Sequence, residues 1–283
     1  MSASEKKIMK NFRKAVTDYG LLDNTEGVMV GLSGGKDSLA LLMMMKLFLK
    51  SSKYKYPLAA GHIDLGFGSD TAPLEAFCRS LDVPLFIEKT NISQVVFEYR
   101  QEQSPCSLCA NMRRGALNNL AADHGYKKVA LGHHIDDVAE TVLLNMCFNG
   151  RMDCFKPKTW LSNREVTVIR PLVYVDERTI TTYARQQQLP VIESCCPANT
   201  HTKRQDMKEA LQNIESFAPI AKQRILSALQ ARPDSGWQPI PREQRLAAEA
   251  AKAAPNAPAP TDSIPKTTID PPIANSTEKE QQI

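Results

Sequence analysis

The chain has 283 residues, 42% of them hydrophobic and 23% charged, with a formal net charge of +4. A chain of this length buries roughly 70% of its extended surface, so a real core is expected, and the balance points to a soluble globular protein without choosing between enzyme and binding module. The longest apolar run, Leu41 to Leu49, is broken by Lys46 well short of a membrane span, which argues against a membrane partner.

"MSASEKKIMKNFRKAV" lacks the uninterrupted apolar stretch of a secretory signal, so the expected location is cytoplasmic. Seven cysteines in that setting read as reduced thiols or metal ligands rather than a disulfide framework. Ile8, Phe12 and Val16 form one stripe of an amphipathic helix over residues 4–18. Off that stripe lie Lys6, Lys7, Lys10, Arg13 and Lys14, either a patch that steers the protein onto a polyanion such as RNA or simply a solvated face.

"GVMVGL" reads as a strand and "LALLMMMKLFL" as a buried helix, with "SGGKDS" between them. A loop from strand to helix offers backbone N–H groups and a helix N-terminus to phosphate, and glycine lets the backbone approach closely. Lys36 suits phosphate charge, and Ser33 and Ser38 can donate hydroxyl hydrogen bonds. Three residues, not four, separate Gly31 from Gly35, and Asp37 stands where a Walker A loop has its metal-binding hydroxyl, so ordinary γ-phosphate hydrolysis is disfavoured.

The alternation continues: "YPLAAGHIDL" as strand, "TAPLEAFCRSL" as helix, "PLFIEKT" as strand, "RRGALNNLAADHG" as helix, "KKVALGHH" as strand, residues 136–148 as helix, "TVIRPLV" as strand, and a helix over 178–188. This order predicts an α/β fold, a mostly parallel sheet with helices on both faces. Two further helices follow, one carrying Met207, Leu211 and Ile214 and one over 220–229.

Cys106 and Cys109 stand three apart just before a helix, a spacing that admits a metal or cluster site, a redox pair, or two buried thiols. Cys78 and Cys147 read as core, and Cys154 as exposed. Asp136 and Asp137 fall in the first turn of a helix at the carboxyl edge of the sheet, where ligands bind in open α/β folds, although capping alone could explain them. Adjacent carboxylates point in different directions on a helix, so one inward-facing catalyst is more plausible than two. Val138, Val142 and Met146 are expected to share its buried stripe.

The expected organisation is a basic helix over 1–20, a catalytic domain over 21–231, and a Pro/Ala-rich tail over 232–283, of which 255–283 is expected to be disordered. A short exposed helix fits "REQRLAAEAAKAA".

The hexapeptide in its context resembles the pyrophosphatase loop of the N-type ATP pyrophosphatases, the PP-loop superfamily, which cleave ATP between the α and β phosphates. "SGGKDSLALL", "CSLCANMRRGAL", "LGHHIDDVAETVLLNMCFNG", "VIRPL" and, less well, "LPVIESCCPANTHTKRQDMKEAL" together resemble the tRNA 2-thiocytidine synthetase family over residues 28–212. The resemblance implies a PP-loop, Rossmann-like fold and ATP-dependent sulfur transfer to C2 of cytidine 32 in tRNA. It implies ATP contacts from Ser33, Gly34, Gly35, Lys36, Asp37, Ser38, His62, Asp64 and Gly132. Lys36 and Asp137 become candidate catalysts, with Asp136 as competitor, and Asp137 a candidate Mg2+ ligand. His133 and His134 could contact phosphate or base.

In that family three cysteines hold a [4Fe-4S] cluster. Counting back from Arg204 and Gln205 puts Cys196 on the third ligand, with Cys195 as competitor because Pro197 replaces the usual glycine. Arg113, Arg114 and Arg170 join the amino-terminal cations as candidate tRNA contacts. The implied partners are tRNA and a sulfur donor such as a cysteine desulfurase, with a homodimer as one open assembly. The alternatives are thiolation of another tRNA base through a cluster or a cysteine persulfide relay, and a non-catalytic protein that binds ATP and tRNA.

Overall fold

In a computed structural model, the described residues are 2–52, 55–100, 105–192, 196 and 202–253. Cys195 and the 255–283 segment lie outside them. The first unit, running to Pro241, begins with α1 (Ala3–Asp18), β1 (Val28–Gly31), α2 (Lys36–Ser51), β2 (Leu58–Asp64), α3 (Ala72–Ser80) and β3 (Leu85–Lys89). A short α4 (Ile92–Gln94) runs into a π-helical turn, Val95–Tyr99, and is followed by α5 (Pro105–Asp123) and β4 (Lys128–Ala130). Then come α6 (Ile135–Asn149), β5 (Lys158–Leu161), β6 (Val166–Ile169), α7 (Glu177–Gln186), α8 (Lys203–Phe217) and α9 (Ala221–Ala231). The second unit contains α10 (Arg242–Ala253), where the sequence places a short helix.

The sheet has the order β3-β2-β1-β4-β6-β5 and is parallel except for β5, which pairs antiparallel with β6. Period-two alternation divides the core between its faces. Val28 and Val30 of β1 pack with α1, α2 and α7, while Met29 points the other way, toward Leu117 and Leu120 of α5. Chain order reverses between β1 and β4, which is where an open α/β sheet forms its ligand crevice.

Local chemistry explains the boundaries. Ser2 and Glu5 form a capping box that starts α1, and Gly150 at φ +60° ends α6 in the left-handed conformation. Four features differ from the sequence reading. The strand read through Arg170 and Pro171 stops at Ile169, since proline cannot donate to a ladder. The hairpin strand β5 has only four residues, too few for its alternation to stand out. Met146 is 51% exposed, in the last turn of α6, where every residue from 146 to 149 is exposed. Trp237, beyond the expected domain end at Ala231, is fully buried and packs edge-on against Tyr19.

Candidate active site

β1 ends under the glycine loop. Ser33 N–H donates to Ser38 Oγ at 3.1 Å, Gly35 N–H to Ser33 Oγ at 3.3 Å, and Ser38 Oγ–H to the Gly35 carbonyl at 2.9 Å. Gly34 has φ +86°, a conformation that favours glycine. No side chain caps α2 at Gly35, so its first-turn N–H groups are left for a ligand. His62 Nδ1 lies 2.7 Å from the Leu32 carbonyl and braces the loop entry, while Asp64 accepts from Gly66 N–H at 2.9 Å.

Lys36 Nζ donates to Glu177 Oε1 at 2.9 Å and to Asp37 Oδ2 at 3.1 Å. Burial lowers its pKa, but the two carboxylates outweigh burial and hold it above the ordinary lysine value. Glu177 also pairs with Lys208 at 2.8 Å. Burial raises the Glu177 carboxyl, yet Lys208 and Lys36 together bring it down to about 2.

The start of α6 meets this loop directly. A Cβ on Gly132 would lie 3.0 Å from the backbone C and O of Asp37, so only glycine allows the two segments to touch. Asp136 and Asp137 then diverge. Asp136 is buried, accepts from Glu177 N–H at 2.7 Å and pairs with Lys222. Asp137 is more open; its Oδ2 accepts from His134 N–H at 2.8 Å and its Oδ1 from Arg204 at 2.7 Å. His134 Nε2 lies 3.4 Å from Asp137 and 3.8 Å from Asp37, whose Oδ1 is buried without a hydrogen bond. Burial lowers the His134 pKa, but Asp136, Asp137 and Asp37 outweigh it and raise it; burial drives His133 down to about 3.

The thiols approach from two segments. Cys106 and Cys109 lie inside the first turn of α5, not before the helix, because Pro105 can start a helix whose first N–H groups need no partner. Burial pushes the Cys109 thiol up, Arg113 pulls it down, and Cys196 and Cys106 push it up again, so the three sulfurs share one neighbourhood. Ile192 N–H donates to the Gly34 carbonyl at 3.0 Å, which ties the stretch after α7 to the glycine loop. Leu117 of α5 closes over Gly31, where an added Cβ would meet Leu117 Cδ2 at 2.6 Å. Among the described residues no three His, Cys, Asp or Glu side chains have the spacing to hold a single metal ion. Cys78 is buried as expected, but Cys147 is exposed near the end of α6 and Cys154 is buried against the Val138 carbonyl.

The basic candidates are dispersed. Lys6, Lys10 and Arg113 are exposed. Lys7 pairs with Asp176 at 2.7 Å, Arg13 donates to Ser51 at 2.9 Å, and Lys14 pairs with Asp18 while covering Tyr174. Arg114 bonds to Asn111 and to the Ala110 carbonyl. Arg170 is buried over the Phe155 ring, and burial brings it down to about 10. Sequence reasoning missed Glu177, Lys208, Lys222 and Glu140, and used Arg204 only as a landmark; the acid at a helix start in "VDERT" was the one local signal.

A parallel sheet that brings a glycine loop and an acidic helix start to one edge defines an ATP-binding protein of the PP-loop class, and the PP-loop domain family matches residues 4–214. Two proteins named tRNA-cytidine(32) 2-sulfurtransferase are similar to this chain. That of Geobacter metallireducens is 38% identical over 228 residues, spanning 79% of this chain and 89% of the relative. That of Geotalea daltonii is 38% identical over 230 residues, spanning 79% and 90%. The chain belongs to the tRNA-cytidine(32) 2-sulfurtransferase family. Among solved structures, the U34-tRNA thiolase NcsA from Methanococcus maripaludis, with its [4Fe-4S] cluster, superposes with a TM-score of 0.67 and 25% identity, covering 80% of this chain and 78% of that one.

Proposed function

We propose that the chain uses ATP to activate C2 of cytidine 32 in tRNA and replaces the oxygen there with sulfur. The observation that carries this reading is the glycine loop, with Gly34 at φ +86° and no side-chain cap on α2, held against the acidic start of α6 by the close approach of Gly132. A pyrimidine carbonyl does not exchange oxygen for sulfur unaided. Its oxygen attacks the α-phosphorus of ATP, the bond to the β-phosphate breaks, and pyrophosphate leaves. Incoming sulfur then adds to C2, and AMP departs with the former carbonyl oxygen.

Ser33, Gly34, Gly35 and Ser38 cradle the leaving pyrophosphate with backbone N–H and hydroxyl groups, and Asp37 lies beside them. Lys36 moves from Glu177 to phosphate when ATP arrives. Asp137 takes Mg2+ in place of Arg204, because it is the more open of the two carboxylates, whereas Asp136 is buried against Lys222 and the Glu177 N–H. Gly132 keeps these segments in contact, and His62 and Asp64 border the adenosine side. Cys106, Cys109 and Cys196 suit a [4Fe-4S] cluster, whose ligands stand farther apart than those of a single ion. When bound, it supplies an iron with an open coordination position for inorganic sulfur. The tRNA contacts are Lys6, Lys10, Arg113, Arg114 and Arg170, with Lys7, Arg13 and Lys14 reinforcing α1.

The setting is the cytoplasm, where tRNA and reduced thiols coexist, and the sulfur donor is a cysteine desulfurase or an equivalent persulfide carrier. A homodimer is checked by light scattering. The central test is anaerobic reconstitution with iron and sulfide counts, thiolation of cytidine 32 being followed in wild type, C106A, C195A and C196A. Loss of iron and thiolation is expected in C106A and C196A but not in C195A; thiolation that survives in C106A would overturn the cluster assignment.

A further inference from the structure

On the α5 face of the sheet, a second cleft of about 440 Å3 opens between α5 and the β5–β6 hairpin. Among the described residues it is lined by three arginines, Arg114, Arg164 and Arg170, and by no aspartate or glutamate. Arg170 is 5% exposed; among the described residues its Nε has no hydrogen-bond partner, and its bond from Nη1 to the Lys156 carbonyl at 2.6 Å brings no counter-charge. Arg164 is exposed and forms no ion pair among the described residues. A guanidinium buried at a cleft without a carboxylate is costly unless an anion completes it.

The rest of the lining suits a base rather than a bare anion. Leu117 supplies an apolar floor, and Asn118 and Asn163 carry the paired donors and acceptors that read a base edge. Leu117 also packs over Gly31, the last residue of β1 before the glycine loop. The volume is in the range of a small-molecule site.

We propose that this cleft receives one unpaired nucleotide of the tRNA anticodon loop, with its phosphate on Arg114, Arg164 and Arg170 and its base on Leu117 between Asn118 and Asn163. The assignment rests on the tRNA reading above and adds a built site and the hairpin that walls it. Single-stranded RNA is recognised in this way, by splayed bases on apolar surfaces and phosphates on arginine.

The test is the affinity of a synthetic anticodon stem-loop RNA, followed by fluorescence anisotropy over a range of salt, for wild type, Arg164→Ala and Asn118→Ala. Arg164 is exposed and Asn118 half-buried, and ATP affinity reports that each variant is folded. Arg164→Ala is expected to weaken binding roughly tenfold and to flatten the salt dependence by about one phosphate contact. Asn118→Ala is expected to weaken binding with the salt slope intact. Wild-type affinity and slope in both variants, alongside normal thiolation by wild type, would overturn the cleft assignment and leave the tRNA reading standing. Wild-type protein with no RNA affinity would overturn both. Saturable binding of inorganic phosphate that Arg164→Ala abolishes, with RNA affinity untouched, would assign the cleft to a free anion and overturn the proposal.

Discussion

Lys36 and Glu177 show how much of the site one side chain can carry. The lysine is held by a carboxylate 141 residues along the chain, which is itself held by Lys208 from α8. Replacing Lys36 with alanine is expected to lower ATP-dependent pyrophosphate release by roughly 100-fold or more while tRNA affinity persists, as filter binding would report. Glu177→Gln leaves two lysines short of a partner and is expected to cost on the order of 2 kcal/mol at neutral pH. The pH dependence has a definite sign. The Glu177 carboxyl falls from 4.5 to about 2 on folding, so its stabilisation is present above pH 4.5 and is lost as the pH drops toward 2. Thermal midpoints of wild type and Glu177→Gln should therefore converge across that interval. The contiguous loop residues were legible in the sequence because one hexapeptide holds them; Glu177 was not, because its role depends on α7 returning to the loop after five more strands.

At the scale of elements, the contact between Gly132 and the start of α2 constrains the site through backbone. Gly132→Ala would force a Cβ against backbone, not against a side chain that can swing aside. The expected cost is about 1–3 kcal/mol in urea unfolding, with weaker ATP binding as a separate readout, since the loop must shift. The parallel strands could be read from their β-branched runs, but β5 could not, because alternation over Lys158–Leu161 is too short to separate from a loop. Cys147 and Cys154 exchanged their expected places for a related reason. Exposure at the end of a helix and in the turn after it depends on which distant elements pack there, which no local pattern encodes.

For the whole molecule, the sheet order carries the argument, since it sets β1 beside β4 and so brings the glycine loop against the acidic start of α6. The alternation of strands and helices made the architecture legible, but its carboxy-terminal limit was not, because a single tryptophan among prolines gives no periodic signal. Trp237 is fully enclosed beside Tyr19 and Phe155. Trp237→Ala is expected to destabilise the protein by about 3–5 kcal/mol in a denaturant titration, whereas deletion of residues 255–283 should leave the midpoint where it was. The bond from Ile192 N–H to the Gly34 carbonyl makes the stretch after α7 a strut for the nucleotide cradle. A nick in the chain between Gln186 and Ile192 should therefore loosen the grip on ATP in a protein that is otherwise folded.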